Sequence, residues 1–379
     1  MNTALAHALL PTYPETSVTF VEGDGMWLVD LAARRYLDFA GGIAVVGLGH
    51  RHPAPLAAAH AQLDKLWHSS NLYGSEPAPV LARRLSERFG GAQAFFCNSG
   101  AEANEAALKY ARKATGKPGV IALEQSFHGR TTGSLSVTGQ PAKRAAFEPL
   151  MPGARFAQPN DVDSLEAAAS DDVGLVLLEP VLGEGGVIPL EPAFLAAAAA
   201  LADKLGALLA FDEVQTGMGR TGSFFAFEQL GVRPQLVTLA KALANGLPIG
   251  CLLVADEAAG AFQPGDHGST FGGNPVVCAA AVAVCDAIDD ELLQQVRANG
   301  ERLQAGLASL PGVVDVRGAG LLVGAEFESP VQPTLDAALD AGLVCLSSGP
   351  NVLRLAPPLV ASVDDVDRAL EILADVTGR

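Results

Sequence analysis

Short runs of uninterrupted apolar residues recur along the chain, and longer amphipathic stretches separate several of them. A strand that is covered by helices on both faces shows such an unbroken run, whereas a half-exposed strand alternates apolar and polar residues. Helical periodicity between the runs is clear in Ala103, Ala107, Tyr110 and Ala114, which share one helix face. Six runs are interpreted as buried strands: 94–97, 120–123, 175–178, 208–211, 236–239 and 251–254. This alternation predicts an α/β fold with a mostly parallel, doubly wound sheet.

The C-terminal part of the chain follows a different pattern. It is predicted to contain two long helices, two strands and a last helix: 274–288, 292–310, 313–316, 321–327 and the helix that a capping box opens at Ser362. The chain has 379 residues, which is more than one hydrophobic core usually holds. We therefore expect a large domain over 41–265 and a smaller α+β domain over 266–379, with the segment 1–40 associated with the smaller one.

Charge and cysteine content limit the partners that this chain can take. The formal net charge is −17, which argues against nucleic acid and anionic membranes as partners. The longest apolar run, 194–202, is far shorter than the roughly 20 residues of a membrane helix. The five cysteines are scattered without a CxxC pair, so neither a disulfide framework nor a zinc site is indicated. A secretory signal would require a lysine or arginine near its start, and none precedes Arg34, so we expect a cytoplasmic protein. We also expect no metal site.

Three features at predicted strand ends could carry chemistry. Asp212 follows the run 208–211, and ligands of open α/β sheets gather at the carboxyl ends of strands. Ser99 and Glu102 have the spacing of a capping box, and the helix that they begin would offer free N–H groups to a phosphate. Lys241 follows the run 236–239, and a lysine beside an apolar wall can react as a free amine.

Each feature also has an ordinary structural explanation. Asp212 could cap a helix or pair with Arg220, the capping box could open a helix without a ligand, and Lys241 could be a solvated helix residue. Together, however, the three would suit pyridoxal phosphate, because they would hold its ring nitrogen, its phosphate and its aldehyde.

Longer motifs extend this pattern over most of the chain. They are NSGAEANEAALK (98–109), SFHGRT (126–131), EPVLGEGGV (179–187), FDEVQTGMGRTG (211–222), LAKALANGLPIG (239–250) and HGSTFGGNP (267–275). With these motifs the chain resembles the class III aminotransferases, which are pyridoxal-phosphate enzymes of fold type I. Among them it is most similar to the acetylornithine aminotransferases.

The resemblance implies roles for individual residues. Lys241 matches the lysine that binds the cofactor covalently, and Asp212 matches the acid that is bonded to the pyridine nitrogen. The other implied cofactor contacts are Gly100, Ala101, Phe127, Glu213, Val214, Gln215 and Thr270. The implied substrate contacts are Arg130, Ser269, Glu184 and Arg354. In the family the Thr270 position serves the second subunit, so the resemblance also implies a homodimer with active sites at the subunit interface.

The implied reaction moves the side-chain amino group of N-acetylornithine to 2-oxoglutarate, which gives glutamate and belongs to arginine biosynthesis. Other amine donors of the class stay open: ornithine, succinylornithine, 4-aminobutyrate and a carrier-linked amine of the lysine pathway. An aminomutase and a non-catalytic cofactor-binding protein are further alternatives. Two departures concern the site, since Leu182 replaces a frequent glutamine and Ala101 replaces a frequent threonine of the family.

Overall fold

The computed structural model describes residues 9–14 and 17–378. The strands are β1 (Phe20–Asp24), β2 (Trp27–Asp30), β3 (Arg35–Asp38), β4 (Ala92–Cys97), β5 (Gly119–Leu123), β6 (Ala154–Ala157), β7 (Val173–Leu178), β8 (Val181–Leu182), β9 (Ile188–Pro189), β10 (Leu208–Asp212), β11 (Leu236–Leu239), β12 (Gly250–Ala255), β13 (Val313–Ala319), β14 (Leu322–Phe327), β15 (Leu343–Val344), β16 (Leu346–Ser347) and β17 (Val352–Leu355). The α-helices are α1 (Gly41–Ala44), α2 (Pro53–Leu63), α3 (Pro77–Phe89), α4 (Gly100–Thr115), α5 (Thr132–Ser136), α6 (Pro141–Arg144), α7 (Val162–Ala167), α8 (Pro192–Leu205), α9 (Pro275–Ala287), α10 (Asp290–Leu307), α11 (Gln332–Asp340) and α12 (Val363–Thr377).

The largest sheet contains all six strands that the apolar runs predicted. Its order is β4-β12-β11-β10-β7-β5-β6. The strands β11, β10, β7, β5 and β6 are parallel neighbours, and β12 is antiparallel to both β11 and β4. The predicted mostly parallel α/β sheet is therefore confirmed, with β6 as a strand that the sequence did not reveal.

The burial of this sheet explains the unbroken apolar runs. Within β7, Val176 and Leu178 belong to one hydrophobic cluster, while Leu175 and Leu177 belong to another. Successive side chains of a strand point to opposite faces, so the sheet lies between two separate cores. Both faces must then be apolar, which leaves polar residues for the strand ends.

The helix α4 begins directly after β4, because the sequence supplies signals for both of its ends. The Ser99 hydroxyl accepts a hydrogen bond from the Glu102 N–H at 3.2 Å, and Gly116 ends the helix in a left-handed conformation with φ 72°. Serine is a favoured N-cap, and glycine reaches positive φ without strain. The helix axis therefore starts at the sheet edge where β10 and β11 also end.

The C-terminal strands form a smaller antiparallel sheet in the order β13-β14-β17-β16. The last helix, α12, begins with the predicted capping box, in which Ser362 and Asp365 satisfy each other's backbone N–H groups. The helix predicted over 292–310 runs from Asp290 to Leu307, so it starts and ends earlier than expected.

The N-terminal strands join the C-terminal part of the chain. Leu37 of β3 pairs in parallel with Leu343 of β15, and Met26, Leu37 and Phe39 pack in the same cluster as residues of the smaller sheet. This pairing supports grouping the segment 1–40 with 266–379, of which 1–8, 15–16 and 379 lie outside the described residues. We propose the three-part division on that basis.

Candidate active site

Most of the residues that the sequence singled out line one cavity of about 430 Å³ at the carboxyl ends of β10 and β11. Those residues are Gly100, Ala101, Phe127, Arg130, Asp212, Val214, Gln215 and Lys241. They come from loops far apart in the chain, and the parallel sheet brings the loops to one edge. The cavity also reaches Glu179, which the sequence analysis did not select.

The carboxylate of Asp212 is buried and held by several donors. Its Oδ2 accepts hydrogen bonds from Asn104 Nδ2 and His128 Nδ1, each at 2.7 Å, and its Oδ1 accepts one from the Val214 N–H at 3.0 Å. An ionised carboxylate has about four acceptor positions, so one stays open for a ligand. Arg220, considered above as a partner of Asp212, instead donates to the backbone oxygens of Leu321 and Pro357.

Asn104 is a buried link that the sequence analysis missed. Besides the bond to Asp212, its Nδ2 donates to the His128 carbonyl at 2.8 Å, and its Oδ1 accepts from the Thr238 hydroxyl at 2.8 Å. Asn104 therefore ties α4 to the ends of β10 and β11, which carry Asp212 and Thr238. An asparagine is unfavourable within a helix unless its side chain has a partner. Its place inside the predicted helix could therefore have indicated a buried hydrogen bond at Asn104.

Lys241 lies two residues after β11, in a 3₁₀ turn over Lys241–Ala244. Its φ of 44° is in the left-handed region, where a residue with a side chain is strained. Burial lowers the pKa of Lys241 to about 8, although nearby carboxylates, Glu184 first among them, oppose the shift. Near neutral pH, a much larger fraction of this amine is therefore uncharged than in an exposed lysine, and the uncharged form is the one that a nucleophile or a base requires.

The first turn of α4 leaves N–H groups available at the cavity. Among the described residues, no backbone or side-chain acceptor is recorded for the N–H groups of Gly100 and Ala101. A side chain on Gly100 would approach Val214 Cγ1 to 2.8 Å, so the close contact between these two cavity-lining residues needs glycine. Free N–H groups at a helix N-terminus bind anions.

Arg354 of β17 forms an ion pair at the side of the cavity. Its Nη1 donates to Glu184 Oε1 at 2.5 Å, to the Gly183 carbonyl at 2.9 Å and to Gln215 Oε1 at 3.3 Å. Burial alone would raise the pKa of Glu184, but the Arg354 charge and hydrogen bond outweigh it and lower that pKa. Gln215 lines the cavity, so the ion pair lies one side chain away from it.

Glu179 is a buried acid that the sequence analysis also missed. Its carboxylate accepts from the N–H groups of Phe127 at 2.8 Å and Gly183 at 3.2 Å. Burial raises the pKa of Glu179 to about 7, with His128 lowering it and Asp212 raising it. Glu179 thus fixes the two loops that present Phe127 and Glu184.

One predicted cofactor contact lies elsewhere. The Glu213 side chain is buried away from the cavity-lining set, and its carboxylate accepts from the N–H groups of Ala226 at 2.7 Å and Phe227 at 2.9 Å. Because successive residues at the end of a strand point to opposite sides, Asp212 and Glu213 cannot both face the same ligand. The structure therefore gives Glu213 a capping role, and burial raises its pKa to about 8.

Ser269 and Thr270 also lie outside the cavity that holds Lys241. They line a different cleft, together with Asn71 and Phe95. The Ser269 hydroxyl accepts from Asn98 Nδ2 at 3.1 Å and from the Gly272 N–H at 3.0 Å. Within one chain the two residues therefore do not line the Lys241 cavity, although Asn98, which bonds Ser269, does.

Neither a membrane-spanning helix nor a metal site is present among the described residues. No helix in residues 9–14 and 17–378 has both the length and the apolar character needed to cross a membrane. In the same part of the chain, no group of histidine, cysteine and acidic side chains is arranged to hold a metal ion.

Known proteins resemble this chain over nearly its whole length. A family model described as aminotransferase class-III matches residues 11–377. The acetylornithine aminotransferase of Bacillus cereus is 43% identical over 373 residues, with 97% of each chain covered. The structure of ornithine aminotransferase from Toxoplasma gondii matches with a TM-score of 0.94 at 29% identity, covering 99% of this chain and 92% of that one. The structure of N-acetylornithine aminotransferase from Stenotrophomonas maltophilia K279a matches with a TM-score of 0.85 at 37% identity, covering 99% and 98%. The chain therefore belongs to the class-III aminotransferase family.

Proposed function

We propose that this aminotransferase moves the side-chain amino group of N-acetylornithine to 2-oxoglutarate, in arginine biosynthesis. The observation that carries the proposal is the Arg354–Glu184 ion pair beside the Lys241 cavity. The names of its relatives support it, since both the Bacillus cereus and the Stenotrophomonas maltophilia proteins are acetylornithine aminotransferases.

Class-III aminotransferases use pyridoxal 5′-phosphate, and the cavity fits that cofactor. The Toxoplasma gondii enzyme is described with partial occupancy of this cofactor at its active site. Here the free N–H groups of Gly100 and Ala101 would hold the phosphate, Asp212 the ring nitrogen, and Lys241 the aldehyde carbon. Phe127 and Val214 line the same cavity as apolar walls for the ring. When bound, the cofactor supplies an electron sink for negative charge on the substrate carbon.

Asp212 keeps a proton on the ring nitrogen. Its carboxylate is already oriented by Asn104, His128 and the Val214 N–H, so it needs no rearrangement to accept one more charge-assisted hydrogen bond. A preorganised acceptor of this kind would favour the protonated ring nitrogen, whose positive charge makes the ring a better electron sink.

Lys241 is the base in this scheme. With its pKa lowered to about 8, its amine can take a proton from the substrate carbon near neutral pH. It would return that proton at the aldehyde carbon of the cofactor. The left-handed turn at Lys241 holds the side chain at the end of β11, next to the cavity.

The Arg354–Glu184 pair lets one site take two substrates. N-acetylornithine reacts at its side-chain amine, so no carboxylate lies beside the reacting carbon, and Glu184 neutralises Arg354. Glutamate carries a carboxylate there, which would displace Glu184 and bind the planar Arg354 fork. Arg130, which lines the cavity, would bind the distant carboxylate of either substrate.

We also propose a homodimer in which Thr270 completes the partner's phosphate site. Thr270 lies outside the cavity of its own chain, as such a role requires. Large apolar side chains are exposed in the same region: Trp67, Leu72, Tyr73 and Phe271. Sedimentation should give twice the mass of the chain, and a monomeric active enzyme would contradict this part.

The five cysteines are free thiols, which supports a reducing, cytoplasmic location as part of the proposal.

A panel of amine donors with 2-oxoglutarate tests the substrate assignment. N-acetylornithine should give the highest kcat/KM, ahead of ornithine, succinylornithine and 4-aminobutyrate. A higher value for another donor would replace acetylornithine in the proposal. Product formation without any keto acid would instead indicate an aminomutase.

A further inference from the structure

A second cation, Lys143, lies beside the same aromatic ring as Arg130. Lys143 belongs to the short helix α6, and its Nζ is 5.3 Å from the centroid of the Phe127 ring. The Arg130 guanidinium carbon is 5.7 Å from that centroid. Phe127 and Arg130 both line the active-site cavity, and Lys143, which lines a separate cleft with Gln140, approaches the same Phe127 ring.

Neither cation has a carboxylate partner in the described part of the chain. No ion pair within 4.0 Å is recorded for Arg130 or Lys143 among residues 9–14 and 17–378, although acidic residues outnumber basic ones in this protein. The polar contact of Lys143 is with the neutral Gln140 Oε1. Two unpaired positive charges beside one apolar ring leave room for an external anion.

Electrostatic coupling places Lys143 among the substrate residues. Burial lowers the pKa of Lys143, the Glu184 carboxylate opposes that shift, and Arg130 and Arg354 lower it further. The Lys143 ammonium group therefore interacts with the charges of Glu184, Arg130 and Arg354, which are the proposed substrate contacts. Lys143 is half-buried, so an anion bound there would be only partly screened by water.

We propose that Lys143 is a substrate-recognition residue, which together with Arg130 binds the carboxylate farthest from the reacting amine. This inference rests on the proposed function, because it requires substrates with a distal carboxylate. The ligand class is a short dicarboxylate or an amino acid with a terminal carboxylate. Both cations approach the Phe127 ring, which would hold them beside the bound carboxylate.

Glutarate is a suitable probe, because it has two carboxylates but neither an amine nor a keto group that could react. Its Kd for the holoenzyme should rise roughly tenfold in Lys143→Gln, as expected for the loss of one charge-assisted contact. Lys143→Arg keeps the charge and should stay within about twofold of the wild type, and so should Lys204→Gln, which removes an exposed lysine of α8. The KM for 2-oxoglutarate should rise with kcat nearly unchanged.

Two results would overturn the inference. One is a glutarate Kd in Lys143→Gln that stays within twofold of the wild type. The other is a weakening that is equal in Lys143→Gln and Lys143→Arg and is accompanied by cofactor loss, which would show that Lys143 only supports Phe127. The two proposals can fail separately. If another donor has a higher kcat/KM than N-acetylornithine while Lys143→Gln still raises the Kd of glutarate, the proposed function fails and the role of Lys143 stands.

Discussion

At the scale of single residues, the site depends on a buried polar network rather than on isolated catalytic groups. Asp212 receives hydrogen bonds from α4, from the loop after β5 and from its own next turn. Asn104 and His128 are themselves buried, so an unsatisfied group there would cost free energy. The orientation of the Asp212 carboxylate is therefore set before any ligand binds.

Asn104→Ala should damage both stability and chemistry. It removes a donor to Asp212 and the acceptor for the Thr238 hydroxyl, which should lower the free energy of unfolding by about 1–3 kcal/mol. Because Asp212 loses orientation, kcat should also fall, and the pH profile of the bound cofactor's absorbance should shift. Asn299→Ala is the matched control, since buried Asn299 bonds the distant Ala361 carbonyl. An equal fall of kcat in both variants would argue against a positioning role.

Lys241 should make the cofactor-free protein sensitive to pH. Its pKa is about 8 in the folded chain, against 10.5 for the unperturbed side chain. Between these values the unfolded chain binds more protons, so the contribution of Lys241 to stability improves as pH rises. Cofactor-free Lys241→Met should therefore be more stable than wild type at pH 7, and the difference should shrink from about pH 8 towards 10.5. Urea denaturation at fixed pH measures this, and a constant difference would show that the pKa is not lowered.

At the scale of elements, the site is built where β10, β11 and the first turn of α4 meet. The register pairs Asp212 with Thr238 across β10 and β11, so the residues after each strand reach the same edge of the sheet. The close approach of Gly100 to Val214 then joins the helix end to the loop after β10. The cofactor would bind along this junction.

Gly100→Ala tests that junction. The new methyl group would approach Val214 to less than normal contact distance, so the first turn of α4 must shift away from the cavity. Cofactor affinity should fall by about tenfold or more, since a small displacement breaks N–H contacts to the phosphate. Gly116→Ala, at the other end of α4, is strained by its φ of 72° but touches nothing near the cavity. It should lose about 1 kcal/mol of stability with cofactor affinity unchanged. Equal cofactor loss in both variants would contradict the prediction.

The sequence predicted these elements where burial was uniform. The strands β5, β7 and β10 are buried on both faces, and their apolar runs revealed them. The edge strand β6 contains Arg155 and is only partly buried, so its pattern resembled a loop. Asn104 was missed for another reason, because its partners lie on β10, β11 and the loop after β5, and only the folded chain brings them together.

The family resemblance identified most of the cavity but could not assign side-chain directions. Adjacent residues such as Asp212 and Glu213 carry the same charge and lie in the same motif, yet one faces the cavity and the other accepts backbone N–H groups from the turn after Phe225. That distinction depends on where β10 ends, which the sequence fixes only within a few residues.

At the scale of the whole molecule, the smaller sheet supplies a residue to the site of the larger one. Arg354 belongs to β17, whereas Glu184 and Gln215 follow strands of the other part of the chain. Buried Arg220 strengthens the connection, because it donates to the carbonyls of Leu321 and Pro357. The position of the smaller sheet therefore sets where Arg354 meets a substrate carboxylate.

Arg354→Lys should separate the two half-reactions. A lysine keeps the charge but loses the planar fork that binds a carboxylate at two points. Single-turnover rates with glutamate or 2-oxoglutarate should fall by about tenfold or more, while the rate with N-acetylornithine should change less. Arg302→Lys is a control in the smaller part of the chain, since Arg302 of α10 makes a comparable two-point contact with Asp367 of α12, and neither residue lines the cavity. Equal losses in the two half-reactions would contradict the exchange of partners at Arg354.

Reduction of the holoenzyme with borohydride, followed by peptide mass analysis, tests most directly whether Lys241 carries the cofactor covalently. The peptide containing Lys241 should gain the mass of the reduced cofactor, and Lys241→Met should show no labelled peptide. Labelling of another lysine, or labelling that persists in Lys241→Met, would contradict it.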